Sequence, residues 1–144
     1  MQQKRDSETF KKSQADDLTN MQTGIFGYKG RVHFQTGPCI NEELEALRGL
    51  PKTEVFTQVS TLIDKHIHRN YRLYPGNYVA CDLLNGTETF AGKYTPEEKK
   101  RFEAYLQKKL DLIQLPNKDE DFLRQRILTM YANPAINHLK AIAQ

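Results

Sequence analysis

GYKGRVHFQTGPCI, Gly27 to Ile40, alternates like a strand inside a chain that otherwise reads as helix. Val32, Phe34 and Thr36 fall on one side and Arg31, His33 and Gln35 on the other, with Gly30 and Gly37-Pro38 as breakers. About six extended residues carry about six N–H and six C=O groups, and each one buried without a partner costs on the order of 1–3 kcal/mol. The rival extended segment, TETFAGKY from Thr87 to Tyr94, is weak because Gly92 interrupts it. The strand over Gly30 to Thr36 is therefore expected to find its neighbours beyond this sequence, in a partner chain or in a sheet whose other strands lie elsewhere.

Working outward, the flanks are helical. The first dozen residues are charged, with Phe10 as their large apolar group, and suit a short helix or a frayed arm. Leu18 and Met21 give Ser13 to Thr23 an apolar side, with Gly24 as its stop. Asn41 opens a short helix carrying Leu44 and Leu47, ended by Gly49 and Pro51. From Thr53, Val55, Phe56, Val59, Leu62, Ile63 and Ile67 keep a helical rhythm wide enough for a core face. Pro75 opens a further helix through Tyr78, Cys81 and Leu84 to the Asn85-Gly86 turn. In TPEEKKRFEAYLQKKL, Thr95 as N-cap, Pro96 at the first position and Glu98 at the third form a capping box ahead of Phe102, Tyr105, Leu106 and Leu110. A last pair of helices, Asp119 to about Tyr131 and Pro134 onward, is expected to break at Asn133-Pro134.

The chain has 144 residues, enough for one domain with a core; 38% hydrophobic and 27% charged residues place it among folded proteins. A net charge of +3 gives no reason to expect a nucleic-acid partner. Two distant cysteines, Cys39 and Cys81, and a polar start suggest a reducing, cytoplasmic compartment, and no apolar run is long enough to cross a bilayer.

DDLTNMQTGIFGYKGRVHFQTGPCI, followed by IDKHIHRNYRLYPGNYVACDLLNG, resembles the C-terminal part of bacterial glycerolipid acyltransferases of the 1-acyl-glycerol-3-phosphate type. Lys29, Gly30, Val32, Phe34, Gly37 and Ile40 match a late strand of that family, with Pro38 one place early, and the likeness runs roughly from Lys4 to Tyr131. It implies a mainly α chain in which residues 1–40 end an acyltransferase-like α/β domain, contributing the strand Gly30 to Thr36 to its sheet. Residues 41–144 would be a helical C-terminal extension. The family works through H-x-x-x-x-D, with the His as base for the acceptor hydroxyl, and through F-P-E-G. Neither block is present: no histidine is followed five places on by Asp, and YPGN at Tyr74 to Asn77 lacks the acid. The resemblance thus implies a non-catalytic portion with no catalytic residue and no cofactor of its own. The missing catalytic portion, or a partner chain, would transfer a fatty acyl group from acyl-CoA or acyl carrier protein to lysophosphatidate or a related lipid hydroxyl.

The chemistry-bearing residues divide as follows. Lys29 and Arg31 at the strand entry, with Arg69 and Arg72 after the longest apolar helix, are candidate contacts for an anion such as a lipid phosphate; Lys93 shares their sign. His66 and His68 stand two apart on a helix, about 200° around it, and cannot share one metal, so no metal is expected. Cys39 and Cys81 are expected as inert thiols. Asp16-Asp17 and Asp119-Glu120-Asp121 sit at helix starts, where negative charge is favourable. Lys99, Lys100, Arg101, Lys108 and Lys109 around Phe102, Tyr105, Leu106 and Leu110 fit either a helix packed in the core or one lying on an anionic membrane, peripheral to its inner face. The alternative to the acyltransferase reading is a free-standing helical interaction module that uses an exposed strand edge.

Overall fold

The structure, a computed structural model, describes residues 1–143. Seven α-helices and one 3-10 turn make up its regular elements, and no strand occurs among the described residues. The chain divides into two units, Met1–Phe34 and a second from Gln35 onward.

In the first unit, α1 (Gln2–Asp6) is a single turn held by Gln2 donating to Asp6 at 3.1 Å. α2 (Gln14–Phe26) starts at a capping box: Asp16 N–H donates to Ser13 Oγ at 3.1 Å, and Ser13 N–H to Asp16 Oδ2 at 2.9 Å. The Ser13 N–H first, and then the Ser13 hydroxyl donating to Asp16 Oδ2 at 2.8 Å, hold the Asp16 carboxyl below its ordinary value. Gly24 does not stop the helix, which runs on to Phe26. No α2 residue is buried.

The expected strand is not formed, and with it goes the sheet it was to join: Gly30 to Thr36 carries no ladder. Its alternation orders nothing, because neither face is covered; Val32 is 61% and Phe34 90% exposed. Gly30 also turns left-handed, at φ +67°, out of the extended region. A period-two pattern fixes a strand only when one side has a core to face.

The second unit contains α3 (Asn41–Ala46), α4 (Lys52–Arg69), α5 (Pro75–Asn85), a 3-10 turn (Ala91–Lys93), α6 (Pro96–Asp111) and α7 (Glu120–Ile142). Its core joins three helices: Val79, Ala80 and Cys81 of α5, Phe102, Leu106 and Leu110 of α6, and Leu123, Leu128, Ala132 and Ala135 of α7. The 102, 106, 110 and 128, 132, 135 spacings are single helix faces, which is why these residues meet. Gly76 lets α5 approach α6 closely; a Cβ there would stand 3.1 Å from Phe102 Cδ2. The capping box read at Thr95 is present, Glu98 N–H donating to Thr95 Oγ1 at 3.2 Å and Thr95 N–H to Glu98 Oε2 at 2.8 Å. At its other end Lys118 Nζ donates to the Leu110 carbonyl at 2.8 Å, satisfying one of the last carbonyls of α6. The apolar face of α6 is thus occupied by the core. No described helix is long and apolar enough to cross a membrane.

The break expected at Asn133-Pro134 is absent: α7 continues through Pro134. Proline removes a backbone donor and crowds the preceding turn, so carbonyls there need other neighbours. Two carbonyls of that turn have such a neighbour in α5, with Asn77 Nδ2 donating to that of Tyr131 at 2.8 Å and Cys81 Sγ 3.6 Å from that of Ala132, beside the Met130 carbonyl whose helical donor the proline removes. Ala132 and Ala135, both fully buried against α5 and α6, keep the helix pressed down on either side of the proline.

Thr87 to Tyr94, the weak strand rival, is a loop wrapped on a buried carboxylate. Asp82, 2% exposed, accepts from Thr87 Oγ1 at 3.0 Å, from Phe90 N–H at 3.0 Å and from Tyr94 Oη at 2.8 Å. The loop is tied to α5 by charge-assisted hydrogen bonds rather than by a ladder.

Candidate functional site

The last turn of α2 and the segment following it have the composition of a contact surface. Ile25, Phe26, Tyr28, Val32 and Phe34 are all exposed, Tyr28 at 97%. Five large apolar side chains within ten residues left in water are unusual for a folded chain. No Asp or Glu occurs between Asp17 and Glu42, so the arm's charged groups are basic. Lys29 Nζ donates to the Gly24 carbonyl, folding the arm back on the end of α2.

The four candidate anion contacts fall in both units. Lys29 and Arg31 belong to the first. In the second, Arg69 Nε donates to the Ala141 carbonyl at 3.0 Å, joining the end of α4 to the last turn of α7, and the Arg72 guanidinium lies 6.0 Å from the centre of the Tyr74 ring. Arg69 and Arg72 each have a partner within the second unit. Lys93 ends the 3-10 turn.

The histidines of HIHRNYR separate as helix geometry requires. The His66 carbonyl accepts from Asn70 Nδ2 at 2.9 Å, and the His68 ring packs on Tyr71 with centroids 5.4 Å apart. Among the described residues, no three His, Cys, Asp or Glu side chains converge as a metal would need. Cys39 is exposed. Cys81 is buried, and burial first, then the neighbouring Asp82 charge, pushes its thiol up, which disfavours the thiolate a nucleophile needs.

Two groupings escaped the sequence reading. One is the Asp82 hub, whose signal was a lone acid inside the apolar run VACDLL. The other lies between α4 and α7, where Thr61, Asp64, Lys65 and His68 face Asn137, Lys140 and Ala141 across a recess of about 240 Å3. His138 Nδ1 donates to the His68 carbonyl at 2.9 Å beside it. The i, i+3, i+4, i+7 spacing of Thr61, Asp64, Lys65 and His68 on α4 and the i, i+3 pair Asn137 and Lys140 on α7 were legible; that the two faces oppose each other was not.

The hub has a consequence at high pH. Burial first, then the hydrogen bond to Asp82 and its charge, push the Tyr94 phenol up to about 12, against about 10 unfolded. A folded-state value above the unfolded one means the contribution is complete below pH ~10 and is lost as the pH rises to about 12. In urea titrations from pH 8 to 12, the chain should be more stable than Tyr94→Phe at the low end. That gap should narrow above pH 10, since phenylalanine has no proton to lose. A gap constant across the range would rule out the hub as its source. Tyr131, raised by burial and by its 2.6 Å hydrogen bond with Tyr105, adds alkaline sensitivity common to both proteins.

Comparison with protein-family profiles, with curated proteins and with solved structures gives no match to this chain.

Proposed function

We propose that this chain is a non-catalytic helical module of a glycerolipid acyltransferase, held to a catalytic body through its exposed arm. The observation that carries the reading is the uncovered set Phe26, Tyr28, Val32 and Phe34. Lys29, Gly30, Val32, Phe34, Gly37 and Ile40, on which the acyltransferase resemblance rests, occupy the same stretch. Covering a large apolar side chain is worth about 1.5–3 kcal/mol, so several together supply a strong drive to dock. In this reading the catalytic body brings the H-x-x-x-x-D and F-P-E-G blocks. Its histidine takes the proton of a lysophosphatidate hydroxyl as that oxygen attacks the thioester of acyl-CoA or acyl carrier protein. The helical module contributes no reacting group, and the reaction belongs to the cytoplasmic surface of the membrane, where the acceptor lipid lies.

The test isolates the tagged protein from its own cells and assays the preparation for acylation of lysophosphatidate. A polypeptide carrying both blocks, continuous with this chain or bound to it, should be recovered along with the activity. Tyr28→Ser with Phe34→Ser should lose the bound body and at least about tenfold of the activity if the body is a separate chain; helical ellipticity should be unchanged, because both side chains are exposed. A preparation with neither block and no acyl transfer sinks the reading in favour of a free-standing interaction module.

A further inference from the structure

We infer that the recess between α4 and α7 binds a phosphate monoester. This goes beyond the docking role of the arm and rests on different residues. α4 and α7 bring their C-terminal ends together, and cationic or donor groups commonly gather at such ends to answer the exposed carbonyls. Here other groups answer one carbonyl on each helix: Arg69 Nε takes that of Ala141 at 3.0 Å and His138 Nδ1 that of His68 at 2.9 Å. Lys65 and Lys140, one from each helix, line the same recess, and neither forms an ion pair among the described residues. Neither lysine is the group that meets the Ala141 or the His68 carbonyl.

The remaining groups suit a phosphate oxygen. Asn137 Nδ2 and His68 Nε2 face each other at 3.5 Å, too long for a good mutual hydrogen bond. In the tautomer with its proton on Nδ1, His68 accepts weakly from Asn137 at Nε2; in the Nε2–H tautomer both groups are donors, and a phosphate oxygen between them is the acceptor that selects it. The recess of about 240 Å3 has the room of about eight waters at ~30 Å3 each, enough for a phosphate group and the start of its ester chain. Asp64 is the one acid lining it, so the two lysines leave one positive charge in excess. That balance favours a single phosphate over a polyanion. A lipid headgroup and a soluble phosphate ester share this chemistry.

The experiment titrates the full chain with inorganic phosphate and follows the amide resonances of Lys65, His68, Asn137 and Lys140, with chloride at matched ionic strength as reference. Saturable shifts confined to these positions are expected. Lys140→Gln should weaken binding about tenfold, as loss of a charge-assisted contact does. Asn137→Asp should weaken it further, and Asp64→Asn should tighten it several-fold by removing the like charge. Lys140 and Asp64 are exposed, so these variants keep the fold. Shifts that chloride reproduces, that never saturate, or that are the same in Lys140→Gln overturn the proposal. Sedimentation with phosphatidate vesicles against phosphatidylcholine vesicles then distinguishes the sources. Lys140-dependent capture on phosphatidate assigns the lipid headgroup; indifference to both vesicles, with glycerol 3-phosphate binding retained, assigns the soluble ester. Failure here leaves the arm's docking untouched, because that test reads Tyr28 and Phe34.

Discussion

Asp82→Ala is expected to lower the stability of the helical core by about 3 kcal/mol, the largest effect of any polar substitution in the chain. Three donors converge on this carboxylate, and hydrogen bonds to a charged group contribute about 1.5–3 kcal/mol each. The full sum does not apply, since Thr87 is exposed and Tyr94 half-buried, and both hydroxyls find water once the carboxylate is gone. The Phe90 N–H is less easily rehydrated, because the Phe90 ring packs on Tyr78 with centroids 5.5 Å apart and against the core cluster. At an m-value of roughly 1.5 kcal/mol/M, the loss reads as a urea midpoint about 2 M lower by helical ellipticity. Tyr94→Phe, which removes one donor and leaves the others in place, should cost about 1 kcal/mol. Asp82→Asn keeps the shape but turns an amide donor toward donors, and should fall between the two. If Asp82→Ala shifts the midpoint by less than about 0.3 M, the loop from Thr87 to Tyr94 is held by something other than this hub.

That loop also shows where reading residues in order stops being sufficient. Thr95, Pro96 and Glu98 fixed the start of α6 because a capping box is local: its partners are three residues apart, and the observed helix begins at Pro96. The close of α5 at Asn85-Gly86 was equally local, with Gly86 left-handed at φ +63°. Ser13 with Asp16 is a capping box of the same kind and was legible, yet Gly24 drew the eye to the wrong end of α2. Pro134 misled for a nonlocal reason. The carbonyls around it are met by Asn77 and Cys81, more than fifty residues earlier, and nothing near the proline announces them. The alternation around Val32 and Phe34 misled in the opposite sense, since it was a real pattern with no second layer in the described residues to act on it. The basic residues divide in the same way. Arg69 was visible as a cation at a helix end, whereas the recess formed by Lys65, His68, Asn137 and Lys140 exists only once α4 lies along α7.

Leu106→Ala is expected to cost about 3–4 kcal/mol, and it tests which of two roles α6 serves. Leu106 is fully buried, flanked by Phe102 and Leu110 on its own helix and joined in one cluster with Val79 of α5 and Ala132 of α7. Removing a buried leucine side chain loses its transfer free energy and leaves a cavity that a three-helix junction collapses only in part, typically 2–5 kcal/mol. Leu112, just past the end of α6 and 66% exposed, is the internal reference: Leu112→Ala should stay within about 0.5 kcal/mol. The lysine-flanked face that α6 presents in sequence also suits a membrane surface, and in that role Leu106 and Leu112 would contribute alike in solution, with little effect from either. The expected contrast of several kcal/mol therefore belongs to the core assignment alone. Equal and small losses would mean that α6 leaves the bundle in solution, and that its apolar face waits for a surface the isolated chain does not contain.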